Sequence, residues 1–368
     1  MSFVQTSRIP SLDGLRAVSI ALVLLAHITG TRNFPQHIQF VGSYANFGVR
    51  VFFVISGYLI TSLLLKERLK RGRIDLLEFY RRRAYRILPP AYLYMLLICI
   101  ADWSHLTGKN VVTAFTYTSN YFMASTPWRL GHLWSLSIEE QFYLLWPAAL
   151  VMAFARGRQI ALGVVLLAPV LRIVFYFAGA QYVEYYFPTV ADAIATGCLL
   201  AIVWPELKRF DRILLSRVMI LAPIVTLAIP LLRGSGWENR LYQTVGVSVM
   251  HFGIAICMYN AICRSWRWLN HPIMIWIGLT SYSLYLWQQL FLDRADQVHW
   301  WTAFPQNLVL AVAAATCSYY FVERPFLRLR DVRHEIPTPA AASGMIAGSV
   351  VALPDGYVPN ARGSIESL

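Results

Sequence analysis

Apolar residues in this chain come in blocks of about 20, the length at which a helix crosses the hydrocarbon core of a bilayer. Short polar stretches, many of them basic, separate the blocks. Ten blocks stand near residues 14–29, 47–65, 87–103, 140–155, 160–178, 188–204, 216–232, 243–263, 272–292 and 304–322. An eleventh stretch, 111–124, carries Thr113, Thr116, Thr118, Ser119 and Asn120. It is too short and polar to count as a span, and is expected to lie at the interface or re-enter. The pattern predicts an all-α integral membrane protein with about ten transmembrane helices. After residue 330 the chain turns to Ala, Gly, Pro and Ser, so 331–368 reads as a flexible cytoplasmic tail.

Charge gives this pattern an orientation. With ten spans and a cytoplasmic N-terminus, the cytoplasmic segments hold 24 of the 32 Lys and Arg residues, and the outer loops hold six. That bias is the positive-inside rule, and it puts both termini in the cytoplasm. Composition agrees: 14% of residues are charged and 57% are hydrophobic, against about 25% charged in a soluble domain. A soluble globule is excluded, and the 52 aromatic residues exclude a disordered chain. The formal charge of +13 is mostly spent on orientation, so the expected partner is the lipid bilayer, with no nucleic acid. The five cysteines lie in apolar stretches without metal-ligand spacing, and no metal site is expected.

Ionisable residues inside spans are costly and each needs a reason. Arg16 and His27 are eleven residues apart, about three helical turns or roughly 16 Å, and so share a face. Asp13 reads as the N-cap of their helix. Neutral imidazole is a good general base, although a histidine near a helix end can equally serve a neighbour. Ser56-Gly57 interrupts the second span, where small residues permit close helix contact, with substrate contact as the alternative. Arg50 on the same span is explained by snorkelling.

The stretch 66–86 holds nine basic residues. Arg82, Arg83 and Arg86 stand just before a span that Pro89-Pro90 opens, and guanidinium forks there suit a multiply anionic ligand or anionic lipid. In HLWSLSIEEQFYLLWP, Ser137 and Glu140 fit a capping box, which leaves Glu139 as a spare carboxylate. Trp134, Phe142, Tyr143 and Trp146 read equally as an interfacial aromatic belt or a sugar-stacking surface. Asp192 must be paired, protonated or facing a wet cavity, and Arg172 is available as a partner. Such a pair would also suit a polytopic transporter, though no inverted repeat is evident. Glu323-Arg324-Pro325 reads as a salt bridge and helix stop.

Six segments in this order, RIPSLDGLRAVSIALVLLAH, FGVRVFFVISGYLIT, FYRRRAYRILPPAY, HLWSLSIEEQFYLLWP, SYSLYLW and FVERPF, resemble acyltransferase family 3 of bacterial membrane proteins. The resemblance covers roughly residues 8–330. It implies a ten-helix domain of the bacterial inner (cytoplasmic) membrane that transfers acyl groups, commonly acetyl, to carbohydrate hydroxyls. The implied donor is acetyl-CoA or another acyl-CoA, with no permanently bound cofactor. The implied acceptor is a carbohydrate such as lipopolysaccharide, exopolysaccharide or a lipo-oligosaccharide, with a macrolide-type metabolite as the alternative.

Arg16 and His27 match the Arg and His that the family pattern regards as essential. Arg82, Arg83 and Arg86 match its arginine-rich motif, and Trp134, Ser135, Leu136 and Glu139 match its Trp-Ser-Leu…Glu motif. The resemblance thus implies His27, Glu139 and Arg16 as catalytic, Arg82, Arg83 and Arg86 as donor-binding, and Trp134, Ser135 and Asp192 as substrate-binding. Two positions depart from the family pattern: Val190 stands where an Arg is common, and Gln288 where a His frequently follows Tyr-Leu-Trp.

Overall fold

In the computed structural model, residues 9–234 and 236–335 are described, and every regular element among them is helical. Helix α1 (Pro10–Ile28) begins on a proline, whose missing N–H costs nothing in a first turn. Asp13 therefore lies inside the helix rather than capping it, with Oδ1 3.8 Å from Nη1 of Arg16. Helix α2 (Ala45–Arg71) ends at Gly72, whose φ of 70° is the left-handed cap that glycine supplies. Helix α3 (Leu76–Ala101) is capped by Asp75, which accepts the Glu78 amide at 3.0 Å. That early start corrects the expectation that Pro89-Pro90 open the span: both prolines lie within α3, and Arg82, Arg83 and Arg86 are helical.

Helix α4 (Gly108–Phe115) has eight residues and gives way to short turns, so 111–124 forms no spanning helix. Helix α5 (Leu133–Met152) starts upstream of the expected capping box. Ser137 is inside it and returns its hydroxyl to the Leu133 carbonyl at 2.9 Å, a back-bond rather than a cap. There follow α6 (Gly157–Phe177), α7 (Phe187–Ile202), α8 (Leu221–Leu232), α9 (Trp237–Arg264), α10 (Pro272–Phe291) and α11 (Gln306–Ser318). A π turn over Tyr319–Glu323 joins α11 to α12 (Arg324–Glu335). Pro325 is therefore no helix stop, because the widened turn before it absorbs its missing N–H. The chain stays helical past residue 330, and the rest of the expected tail, 336–368, lies outside the described residues.

Five helices, α1, α2, α3, α6 and α9, are long and apolar enough to cross a membrane, and α7 with Trp204–Leu214 makes a sixth if their 68° bend is one broken span. Helices α5 and α10 fall short because they carry polar residues. Those residues, including Ser135, Ser137, Ser281, Ser283 and Gln288, are buried, so the polar face is turned into the bundle and away from lipid. Helix α6 does the reverse. It leaves Leu162, Leu166, Val170, Val174 and Phe177 exposed, a face that only hydrocarbon would cover. This is the arrangement of a multi-pass membrane protein.

Helix α1 packs between α2 and α10, α2 packs on α7, and α7 on α6. The α2–α7 crossing is close enough to require glycine on both sides. A Cβ on Gly57 would lie 2.0 Å from the Ile194 carbonyl oxygen, and one on Gly197 would lie 2.0 Å from that of Val54.

Candidate functional site

Helices α1, α2, α3, α5 and α10 surround a cleft of about 720 Å³ of atom-free space, its mouth included. Successive residues of a helix turn by about 100°. Arg83 and Arg86, three residues apart on α3, share a face and enter the cleft, where they meet Arg16 of α1. Arg82 points away. Its Nη2 lies 3.2 Å from Glu67 Oε2 and its Nη1 3.6 Å from Glu78 Oε1, so it stands outside the cleft that Arg83 and Arg86 enter. Helix α5 contributes Ser135, Glu139 and Tyr143, spaced by four residues into one polar stripe.

Glu139 is the hub of the cleft. Ser56 Oγ donates to its Oε1 at 2.7 Å, and the Tyr143 hydroxyl lies 3.4 Å from its Oε2. The Arg83 guanidinium stacks over the Tyr143 ring, 5.1 Å from its centroid. Arg16 and Arg83 are within electrostatic reach of Glu139 and of each other. Buried Glu323 accepts from Ser283 Oγ at 2.9 Å and faces Arg86 and Arg16. Among the described residues, none of Arg16, Arg83 and Arg86 donates a hydrogen bond to the protein. The fold thus gathers three guanidinium groups, of which Arg16 keeps a 3.8 Å ion pair to Asp13. Guanidinium forks match phosphate and carboxylate oxygens.

At the end of the cleft remote from the arginines, Ser135 Oγ meets the Tyr285 hydroxyl at 2.6 Å, and that hydroxyl also donates to the His132 carbonyl at 2.9 Å. His27 does not line the cleft. It sits beyond this wall in the last turn of α1, with Nδ1 2.8 Å from Oε1 of Gln288, one turn of α10 past Tyr285. The Trp128 indole packs edge-on against its ring at 5.5 Å. The structure thus brings Arg16, Arg83, Arg86, Ser135 and Glu139 together and holds His27 a turn further on.

Trp134 and Asp192 lie elsewhere. Trp134 is a core residue, edge-on to Tyr185 at 4.7 Å and to Phe53 at 6.0 Å. Asp192, 1% exposed, is taken up by a closed network. Arg172 reaches its Oδ2 at 3.2 Å through both Nη1 and Nη2, and Ser248 Oγ and His251 Nδ1 each lie 3.2 Å from the same oxygen. Arg172 also donates to the Gln243 and Thr189 carbonyls at 3.0 and 2.7 Å and to Ser248 Oγ at 2.6 Å. A pair so fully coordinated answers for the buried charges by itself. Arg50 also differs from expectation. It is 2% exposed and donates to the Glu184 carbonyl at 3.1 Å, so it faces inward and does not snorkel.

Sequence reasoning missed Tyr282 and Tyr285 as cleft residues and left Ser56 and Tyr143 open between a packing and a substrate-facing role. Tyr143 lies one turn past Glu139 on the same face, and Ser56 precedes Gly57, whose packing role competes for the same dipeptide. Tyr282 and Tyr285 carry no signal without the fold that turns α10 inward.

A family model described as an acyltransferase domain matches residues 9–323. The O-acetyltransferase OatA of Staphylococcus aureus (strain NCTC 8325 / PS 47) is 31% identical over 355 residues, which covers 86% of this chain and 57% of that protein. The peptidoglycan O-acetyltransferase OatA of Listeria monocytogenes is 30% identical over 365 residues, covering 86% of this chain and 55% of that protein. The chain spans a little over half the length of these curated relatives. No solved structure matches it. With a family match over nearly the whole described region, and with the arginine, Ser135 and Glu139 motif positions converging in one cleft, the chain belongs to acyltransferase family 3.

Proposed function

We propose that this protein is an O-acyltransferase of the bacterial cytoplasmic membrane that takes acetyl from acetyl-CoA and transfers it to a hydroxyl of a cell-wall or other exported glycan. One observation carries the reading: the cleft gathers Arg16, Arg83 and Arg86, none of which donates a hydrogen bond within the described residues. A CoA thioester offers phosphates for guanidinium forks and a narrow arm for the aromatic-walled remainder. Ten spans would account for the ten helical segments α1–α3, α5–α10 and α11 with its continuation. Both termini would then be cytoplasmic, and the arginine end of the cleft would face the compartment that holds acyl-CoA.

In this reading the donor arm runs along the cleft past Glu139 and Ser135 toward His27. The acceptor approaches from the opposite side of the membrane. His27 takes the proton of the acceptor hydroxyl as its oxygen attacks the thioester carbonyl. The C–S bond then breaks, and the CoA thiolate leaves and picks up the proton. Glu139 and Arg16 position the donor end. The name of the Listeria relative, a peptidoglycan O-acetyltransferase, supports a cell-wall acceptor over a macrolide. Arg172 and Asp192, the pair that suited a coupling site, neutralise each other, which removes that support for a transporter. The test uses the full chain in lipid nanodiscs with acetyl-labelled acetyl-CoA and glycan fragments. Label on the glycan, identified by mass spectrometry, is expected. Unlabelled glycan, together with solute uptake into proteoliposomes without covalent change, would overturn the reading.

A further inference from the structure

We infer that Gln288 is a positioning residue that selects the tautomer of His27, holding the proton on Nδ1 and leaving Nε2 free to act. The inference rests on the reading of His27 as the base. Gln288 is fully buried on α10, and its Oε1 lies 2.8 Å from His27 Nδ1. The carboxamide turns its oxygen to the ring, and an oxygen only accepts, so in this amide orientation Nδ1 carries the hydrogen. A neutral imidazole has one N–H, so Nε2 then presents a lone pair. Nε2 has no hydrogen-bond partner among the described residues.

The surroundings hold the ring in that pose. Trp128 packs its edge on the imidazole, and its indole N–H is itself tied to the Gln289 carbonyl at 3.1 Å. Arg294, in the segment after α10, grips the end of α1 through the Ala26 carbonyl and through Thr29 Oγ1 at 3.3 Å. The charged and titratable groups facing His27 are Arg294 and His132, and neither bonds to its ring. Among the described residues no carboxylate bonds to this histidine. An amide fixes the same tautomer as a carboxylate would without placing another charge inside the bundle.

The test compares the full chain in nanodiscs as wild type, Gln288→Met, Gln288→Glu and His27→Ala. Each is normalised to folded, monodisperse protein, and kcat and donor KM are measured with acetyl-CoA. Gln288→Met keeps the side-chain volume and loses the acceptor. It is expected to lower kcat about 10- to 100-fold with donor KM unchanged. Gln288→Glu keeps an acceptor oxygen and is expected to recover at least about tenfold over Met. Methionine as active as wild type, or as active as glutamate, overturns the inference, since packing alone would then suffice. Should the glutamate variant not fold, a wild-type kcat for Gln288→Met still overturns it. If His27→Ala keeps full transfer, the role given to His27 has failed instead, whatever the Gln288 variants show.

Discussion

Replacing Gly57 by alanine should damage both stability and turnover, and the structure gives the scale. The added Cβ would start 2.0 Å from the Ile194 carbonyl oxygen, whereas real Cβ contacts essentially never fall below 3.0 Å. The obstacle is backbone, so no side chain can swing away; helices α2 and α7 must part by about 1 Å. Ser56, next to Gly57, donates to Glu139 at 2.7 Å, so a displacement of α2 is passed directly to that bond. Overpacking costs about 1–3 kcal/mol, while Gly→Ala inside a helix returns about 1 kcal/mol. We expect a net loss of about 1 kcal/mol, read as a fall of a few degrees at most in the thermal midpoint of the detergent-solubilised protein. Turnover of labelled acetyl-CoA should fall with it. Gly163→Ala on α6, where an added Cβ meets nothing within 4 Å, is the control and should be neutral or stabilising. Gly197→Ala should behave like Gly57→Ala, and the double variant should lose less than the sum, because both act on one crossing. A Gly57→Ala protein with wild-type midpoint and turnover would refute the argument.

Two further outcomes follow from the side-chain geometry. Arg83→Ala should raise donor KM roughly 10- to 100-fold through loss of charge-assisted bonds. Arg82→Ala, whose charge is spent on Glu67 and Glu78 outside the cleft, should change it no more than a few-fold in the same steady-state assay. Arg172→Leu would leave buried Asp192 without its ion pair and should destabilise the protein by about 3–5 kcal/mol. Arg172→Leu with Asp192→Leu should recover most of the thermal midpoint; no recovery would give the pair a role beyond mutual neutralisation.

Much of the fold was legible because lipid makes hydrophobic length informative. Each of the ten apolar blocks coincides with a helical segment, and the polar stretch 111–124 forms only the short α4 and turns. Helix starts were read less well. Asp13, Ser137 and Pro89-Pro90 all carry terminus signals in isolation, but tertiary packing extends each helix upstream of them. The site was legible to the extent that one motif residue reports one face. Arg83, Arg86, Ser135 and Glu139 reach the cleft because their spacings put them inside, whereas Arg82 is one residue out of phase. Asp192 was flagged correctly as needing a partner, and the partner, Arg172, explains it without a ligand. The contact between His27 and Gln288 joins residues 261 positions apart, and no local pattern encodes it.

The most direct test of the account is acetyl transfer by the purified chain, comparing wild type with His27→Ala at equal amounts of folded protein in nanodiscs, with labelled acetyl-CoA as donor and a cell-wall glycan fragment as acceptor. The account predicts label on the glycan with wild type and none above background with His27→Ala, both proteins still binding the donor through Arg16, Arg83 and Arg86. Transfer by His27→Ala at the wild-type rate would contradict it.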